Sequence, residues 1–197
     1  MNILHYTLGL APQRSGGLTK YATDLMMEQA HRHHVSLLYP AGYRPLQRRI
    51  SWKQGDNHHQ IRTFRLRNTF PVPILYGIKS PLDFMGKRVF QTQDMETMYQ
   101  EIRPDVFHVH SLMGLPKELL EFFASKGVKQ VFSSHDYFGI CPKVNLINHH
   151  GALCTTPSQK TCSDCNVSSP TTQFLRLRNS SIALNLKNNT LIRRLLK

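Results

Sequence analysis

The segment from Asn2 to Pro40 restricts the fold more than any other part of the chain. NILHYTL, Asn2 to Leu8, is a short and mostly apolar run closed by Gly9, the pattern of a strand buried on both faces. A loop, GLAPQRSGG, follows. Then Leu18, Tyr21, Ala22, Leu25, Met26 and Ala30 recur at helical spacing, which predicts an amphipathic helix over Leu18 to His31. HVSLLYP, His34 to Pro40, reads as a second strand stopped by its proline. Strand, glycine-bearing loop, helix and strand open a parallel α/β sheet, with a right-handed crossover expected.

The same order returns near residue 105. PDVFHVHS reads as a strand, GLPKELLEFFASKG as a helix stopped by Gly127, and VKQVFSSHD as another strand. Ahead of them, Leu82, Met85, Val89, Met95, Tyr99 and Ile102 mark one longer helix that must end before Pro104. HQIRTFRLR, His59 to Arg67, alternates as a strand with a basic outer face, and FPVPILYGIKSP, broken by three prolines, reads as an irregular, partly apolar surface segment. The expected fold class is α/β, a parallel sheet flanked by helices. Residues 1–138 form this domain, 139–170 a cysteine-containing loop without periodicity, and 171–197 a basic tail of one or two helices belonging to the same domain.

A chain of 197 residues suits one full-sized domain rather than two large ones. Its net charge of +13 draws it to anionic partners such as phosphate-rich ligands or an acidic membrane face. No recognition motif accompanies the basic residues, and aromatic residues are only 9% of the chain, so specific nucleic-acid binding is not expected. No apolar run approaches the ~20 residues that span a bilayer, and MNILHYTLGL lacks a basic signal-peptide start. The expected location is cytoplasmic, with peripheral attachment to the inner face of the membrane.

Ligands of open parallel sheets sit at the carboxyl ends of the strands. Those ends are Ser15 to Gly17, His108 to Ser111, and Ser133 to Asp136. Gly16 and Gly17 precede a helix, where glycine lets the backbone approach an anion and the helix offers unpaired N–H groups; a flexible turn is the plain alternative. His110 and His135 close two strands and can exchange protons or hydrogen-bond a sugar hydroxyl or a phosphate; the plain alternative is that each caps its strand end by bonding a backbone carbonyl. His108 is expected to face away from His110 and to bond a backbone carbonyl. Asp136 can orient a histidine or cap a turn. The four cysteines, Cys141, Cys154, Cys162 and Cys165, run C-x12-C-x7-C-x2-C, which fits either structural zinc or free thiols and disulfides.

NILHY, SGGLTKYATDLMMEQAHRHHVSLLYP, RPDVFHVHSLMGL, and VFSSHDYFGICPKVNLINHHGALC with its later CSDC together resemble the N-terminal domain of family-4 glycosyltransferases, over roughly Met1 to Leu175. The resemblance implies a Rossmann-like domain of the GT-B fold. It also implies a retaining enzyme that moves a sugar from a nucleotide-sugar donor to a glycan or lipid-linked acceptor. It places Gly16 and Gly17 near the donor's diphosphate, His135 against the transferred sugar as the catalytic position, and His110 and Asp136 on the substrate side. In such enzymes a second domain with paired glutamates holds the donor. No acidic residue follows Asp164. The resemblance therefore leads one to expect an acceptor-side half, incomplete in its last strands, that works with a separate donor-domain subunit or does not act alone. The competing expectation is a non-catalytic module that binds a membrane or a partner.

Overall fold

The computed structural model describes residues 1–44, 47, 49–79, 89–180, 182, 183 and 186. β1 (Asn2–Tyr6) and β2 (His34–Pro40) flank α1 (Gly17–Gln29), as their spacing requires. β3 (Ser51–Gln54) and β4 (Arg62–Arg67) follow, then a 3-10 turn at Ile74–Tyr76. α2 (Thr92–Ile102), β5 (Val106–Val109), α3 (Lys117–Ser125) and β6 (Lys129–Phe132) complete the sheet layer. Two short helices, α4 (Gln159–Cys165) and α5 (Thr172–Arg178), come after it.

The strands form one sheet in the order β3-β4-β2-β1-β5-β6. All pairs are parallel except β3 with β4. From β1 the chain builds outward to β2 on one side and later to β5 on the other. The crevice between β1 and β5 is thus the switch point where open α/β sheets gather ligands.

Alternation along the strands sends residues to opposite faces. Leu4, Tyr6, Leu38, Phe64, Leu66, Phe107 and Val109 meet Met95, Met98, Ile102, Leu119 and Phe123 in a core beneath α2 and α3. Val35, Leu37 and Ile61 meet Met26 of α1 on the other face. Burial of these side chains, at roughly 1.5–3 kcal/mol each, holds the helices to the sheet. His5, His108 and His110 have the opposite parity to Leu4, Phe107 and Val109, which puts them on the face that α1 covers.

Several expectations are corrected. β4 begins at Arg62 rather than His59, because His58 and Ile61 pair across a tight antiparallel turn that reverses the chain. That turn adds β3, which polar SWKQ does not announce, and makes the sheet mixed rather than wholly parallel. The helix marked from Leu82 starts at Thr92: Phe90 bridges to Ile50 and Gln91 is extended, so the chain enters the helix only after that pairing. Val89 is 62% exposed and precedes the helix, while Leu82 and Met85 lie outside the described residues. The loop 139–170 carries α4 and an Ile147–Leu153 bridge, held locally by the Ser158 cap rather than by an apolar stripe. The tail is helical over α5, and most of its later residues lie outside the described set. Among the described residues no helix is long and apolar enough to cross a membrane.

Candidate functional site

Four histidines line up at the carboxyl ends of β1, β5 and β6. His5 Nε2 bonds Gln29 Oε1 of α1 at 2.7 Å, and His5 Nδ1 bonds His110 Nε2 at 2.9 Å. His110 Nδ1 reaches His135 Nε2 at 3.2 Å. The direction of this chain follows the orientation of the Gln29 amide. With its oxygen accepting, His5 donates through Nε2–H and accepts at Nδ1; His110 then donates Nε2–H and accepts from His135 Nε2–H. In that orientation the Nδ1 of the exposed His135 ring lies outside the row. Turning the Gln29 amide over reverses every donor.

His5 and His110 are almost fully buried, whereas His135 is exposed. Burial, then the neighbouring His108, lowers His5 to about 4. Burial, then His108, His5 and His135, lowers His110 to about 3. His108 is also lowered, by burial and then by His135. The interior of the chain is therefore a row of neutral imidazoles leading to one exposed ring.

His108 does not face away from His110. Residues two apart on a strand share a face, and the two rings stand 4.1 Å apart at their centroids. His108 Nε2 bonds Ser133 Oγ at 2.8 Å rather than a backbone carbonyl. Among the described residues, His5, His108 and His110 are the group whose ligand atoms all lie within 4.8 Å of one another. Hydrogen bonds already engage both nitrogens of His5 and His110, so a metal there would have to break the chain.

Gly16 and Gly17 stand at the start of α1. Gly16 has φ +129°, which side chains rarely adopt, and neither glycine has an atom within 4 Å of where a Cβ would stand. The backbone conformation, not crowding, requires glycine at 16. No side chain caps the helix and no acid occupies its first turn, so its leading N–H groups have no side-chain partner. Tyr21, one turn further on, packs edge-on against His135 at 5.0 Å and His110 at 6.0 Å. Tyr21 thereby joins the glycine loop to the histidine row. Asp136 is a turn cap: its Oδ1 accepts from Phe138 N at 2.9 Å. A pocket of about 120 Å³ beside His135 is walled by Tyr137, Phe138 and Ile140.

A second cleft of about 410 Å³ opens at the carboxyl ends of β1, β2 and β4, among Arg14, Tyr39, Asp56, Arg65 and Arg67. Burial and the nearby Arg178 lower Arg14, and burial with Arg44 and Arg65 lowers Arg67. Arg65 donates to Tyr39 Oη at 2.9 Å. Three guanidinium groups against one carboxylate leave this cleft short of negative charge. A larger cavity, about 650 Å³, lies at the opposite, amino end of the strands near His33, Arg62 and Arg103. It is remote from the switch point and from the histidine row.

The cysteines converge as well. Cys141, Cys154, Cys162 and Cys165 line one cavity of about 20 Å³, and all four are free thiols. Burial first, then Cys141 and Cys154, pushes the Cys162 thiol up. The sequence shows Arg65 and Arg67 only as part of the basic outer face of His59 to Arg67, and it does not mark His5, Gln29 or Arg14 as site residues. His5 could have been found from strand register, but nothing local marks Gln29.

A model of Glycosyltransferase Family 4 matches residues 15–152. The chain belongs to this family. The match spans the glycine loop, the histidine row from His108 to His135, and the first of the cysteines, and the α/β sheet agrees with it. No curated protein and no solved structure matches the chain.

Proposed function

We propose that this member of Glycosyltransferase Family 4 forms the acceptor side of a sugar-transfer site, with a nucleotide-sugar as donor and a glycan or lipid-linked acceptor. The observation that carries the reading is His135, exposed at the switch-point end of the sheet, held by a neutral histidine row and beside the open start of α1. In this reading Gly16 and Gly17 approach the donor's diphosphate, where free N–H groups favour negative charge. His135 contacts the transferred sugar through Nδ1, the ring nitrogen outside the row, which hydrogen-bonds a sugar hydroxyl. His110 supports it from beneath, and Asp136 shapes the turn that presents it.

The arginine cleft takes the acceptor, and its excess positive charge favours an anionic one such as a lipid pyrophosphate. Each basic residue near an acidic leaflet adds about 1 kcal/mol of attraction, which supports a peripheral membrane position on the cytoplasmic side. Donor binding by a separate subunit completes the site. In a sugar-transfer assay with a donor-binding domain supplied in trans, His135→Ala should lower turnover by about 100-fold. Unchanged turnover would reject the role given to His135.

A further inference from the structure

Residues 139–170 are ordered without a core of their own. All of them are described, and their buried apolar side chains are Cys141, Val144 and Cys165, two of which are thiols. Ile140, Ile147, Leu153 and Val167 are exposed. The segment nevertheless forms a hairpin-like bridge and α4, and docks through Asn166. Asn166 Oδ1 accepts from Ile78 N at 3.2 Å and Ser169 Oγ at 3.0 Å, while its Nδ2 donates to Cys162 O at 2.8 Å. Asn166 comes so close to Gly77 that a Cβ there would stand 2.2 Å from its Oδ1. One docked asparagine anchors one end of the segment. Val144 packs with Val72 and Met113 near the other end, and Cys141 and Cys154, on separate turns, face α4 across a shared cavity.

We propose that Cys141, Cys154, Cys162 and Cys165 bind one zinc-class divalent cation as a tetrathiolate, and that this ion orders residues 139–170. The four thiols line a single cavity of about 20 Å³. An all-sulfur tetrahedral set selects zinc among common divalent ions. On binding, four S–H protons leave to solvent as four metal–sulfur bonds form. Bonds near 2.3 Å place tetrahedral sulfurs about 3.8 Å apart. The thiols are not among the groups already within 4.8 Å, so binding draws the cavity closed.

The ion reaches the histidine site through one turn. Cys141 N donates to Tyr137 O at 2.7 Å, and Tyr137 N donates to Val144 O at 3.1 Å. Fixing Cys141 thus fixes Tyr137 and Phe138, which wall the pocket beside His135. The role is structural: no thiol touches the reacting groups.

The test is metal analysis of the full chain purified in reducing, chelator-free buffer, which should give stoichiometric zinc. Cobalt exchanged into the site should show thiolate-to-metal charge transfer and the strong visible bands of a tetrahedral thiolate complex. Cys162→Ser should lose the metal and His108→Gln should keep it, separating this site from the histidine row. Should Cys162→Ser fail to fold, the wild-type cobalt spectrum decides. Chelation should open residues 139–170 to proteolysis while the far-ultraviolet signal of the sheet persists. Four thiols that react freely in native protein offered free zinc would overturn the proposal. So would a disulfide, iron with acid-labile sulfide, or metal lost equally from His108→Gln. None of these measurements reads sugar transfer, so their failure leaves the proposed reaction standing.

Discussion

At the scale of single residues, the histidine row is the feature with the sharpest chemical consequence. His5 and His110 titrate at about 4 and about 3 in the folded chain, against 6.5 for an ordinary histidine. Between those limits the unfolded chain binds protons that the folded chain refuses, so stability rises with pH across this window and is lost as pH falls. Above about pH 6.5 both states are neutral at these rings and the dependence ends. Chemical-denaturation midpoints measured from pH 7 to pH 4 should fall steadily. His5→Gln, which keeps a polar group beside Gln29 but cannot protonate, should flatten the fall. An equally steep profile in that variant would place the titration elsewhere.

Element scale explains why two adjacent glycines are not equivalent. Gly16 has the φ of +129° and Gly17 is the first residue of α1. Alanine at 16 forces a conformation nearly reserved for glycine, costing about 1–3 kcal/mol. Alanine at 17 meets no atom and belongs in a helix, so it should be neutral or stabilising by about 0.5–1 kcal/mol. Thermal unfolding of Gly16→Ala and Gly17→Ala distinguishes the two. The donor-loop reading adds a second readout: Gly17→Ala should weaken nucleotide-sugar binding even while it raises the melting temperature. The same scale shows how far the sequence could be read. α1 and β2 were legible because their periods are clean and Pro40 ends the second strand. α2 was read too long because apolar spacing continued through Val89, while the Phe90–Ile50 bridge that stops the helix is long-range. β3 was invisible because Ser51–Gln54 carries no apolar alternation and exists only by pairing with β4. Within the candidate site, His110, His135 and the cysteines stood out by residue type and position. His5, Gln29 and Arg14 did not, because their significance lies in what other segments bring beside them.

For the whole molecule, the placement of charge matters beyond its total. A net +13 attracts any polyanion, yet the clefts at the two ends of the sheet differ in their surroundings. At the carboxyl end Arg65 pairs with Asp56 while like charges press on Arg14 and Arg67; at the amino end Arg62 pairs with Glu101, and Arg32 and Arg103 complete the lining. Inorganic pyrophosphate measured by calorimetry at low salt should therefore bind about tenfold more weakly to Arg67→Gln. Arg32→Gln, which alters the amino-end cavity, should stay within about twofold of wild type. Equal losses in both variants would mean attraction to charge in general rather than a built cleft.

The α/β class, the helix-and-strand order around Asn2 to Pro40 and Asp105 to Phe132, and the cationic character follow from local period, punctuation and composition. It is the folded sheet that joins His5, His110 and His135 in one hydrogen-bonded row ending on Gln29. The tertiary structure alone brings four cysteines, scattered over 25 positions, around one cavity. Both outcomes depend on strand register and on the docking of a loop through Asn166. Contacts between residues a hundred positions apart are set by which strands become neighbours, and no local period records that choice.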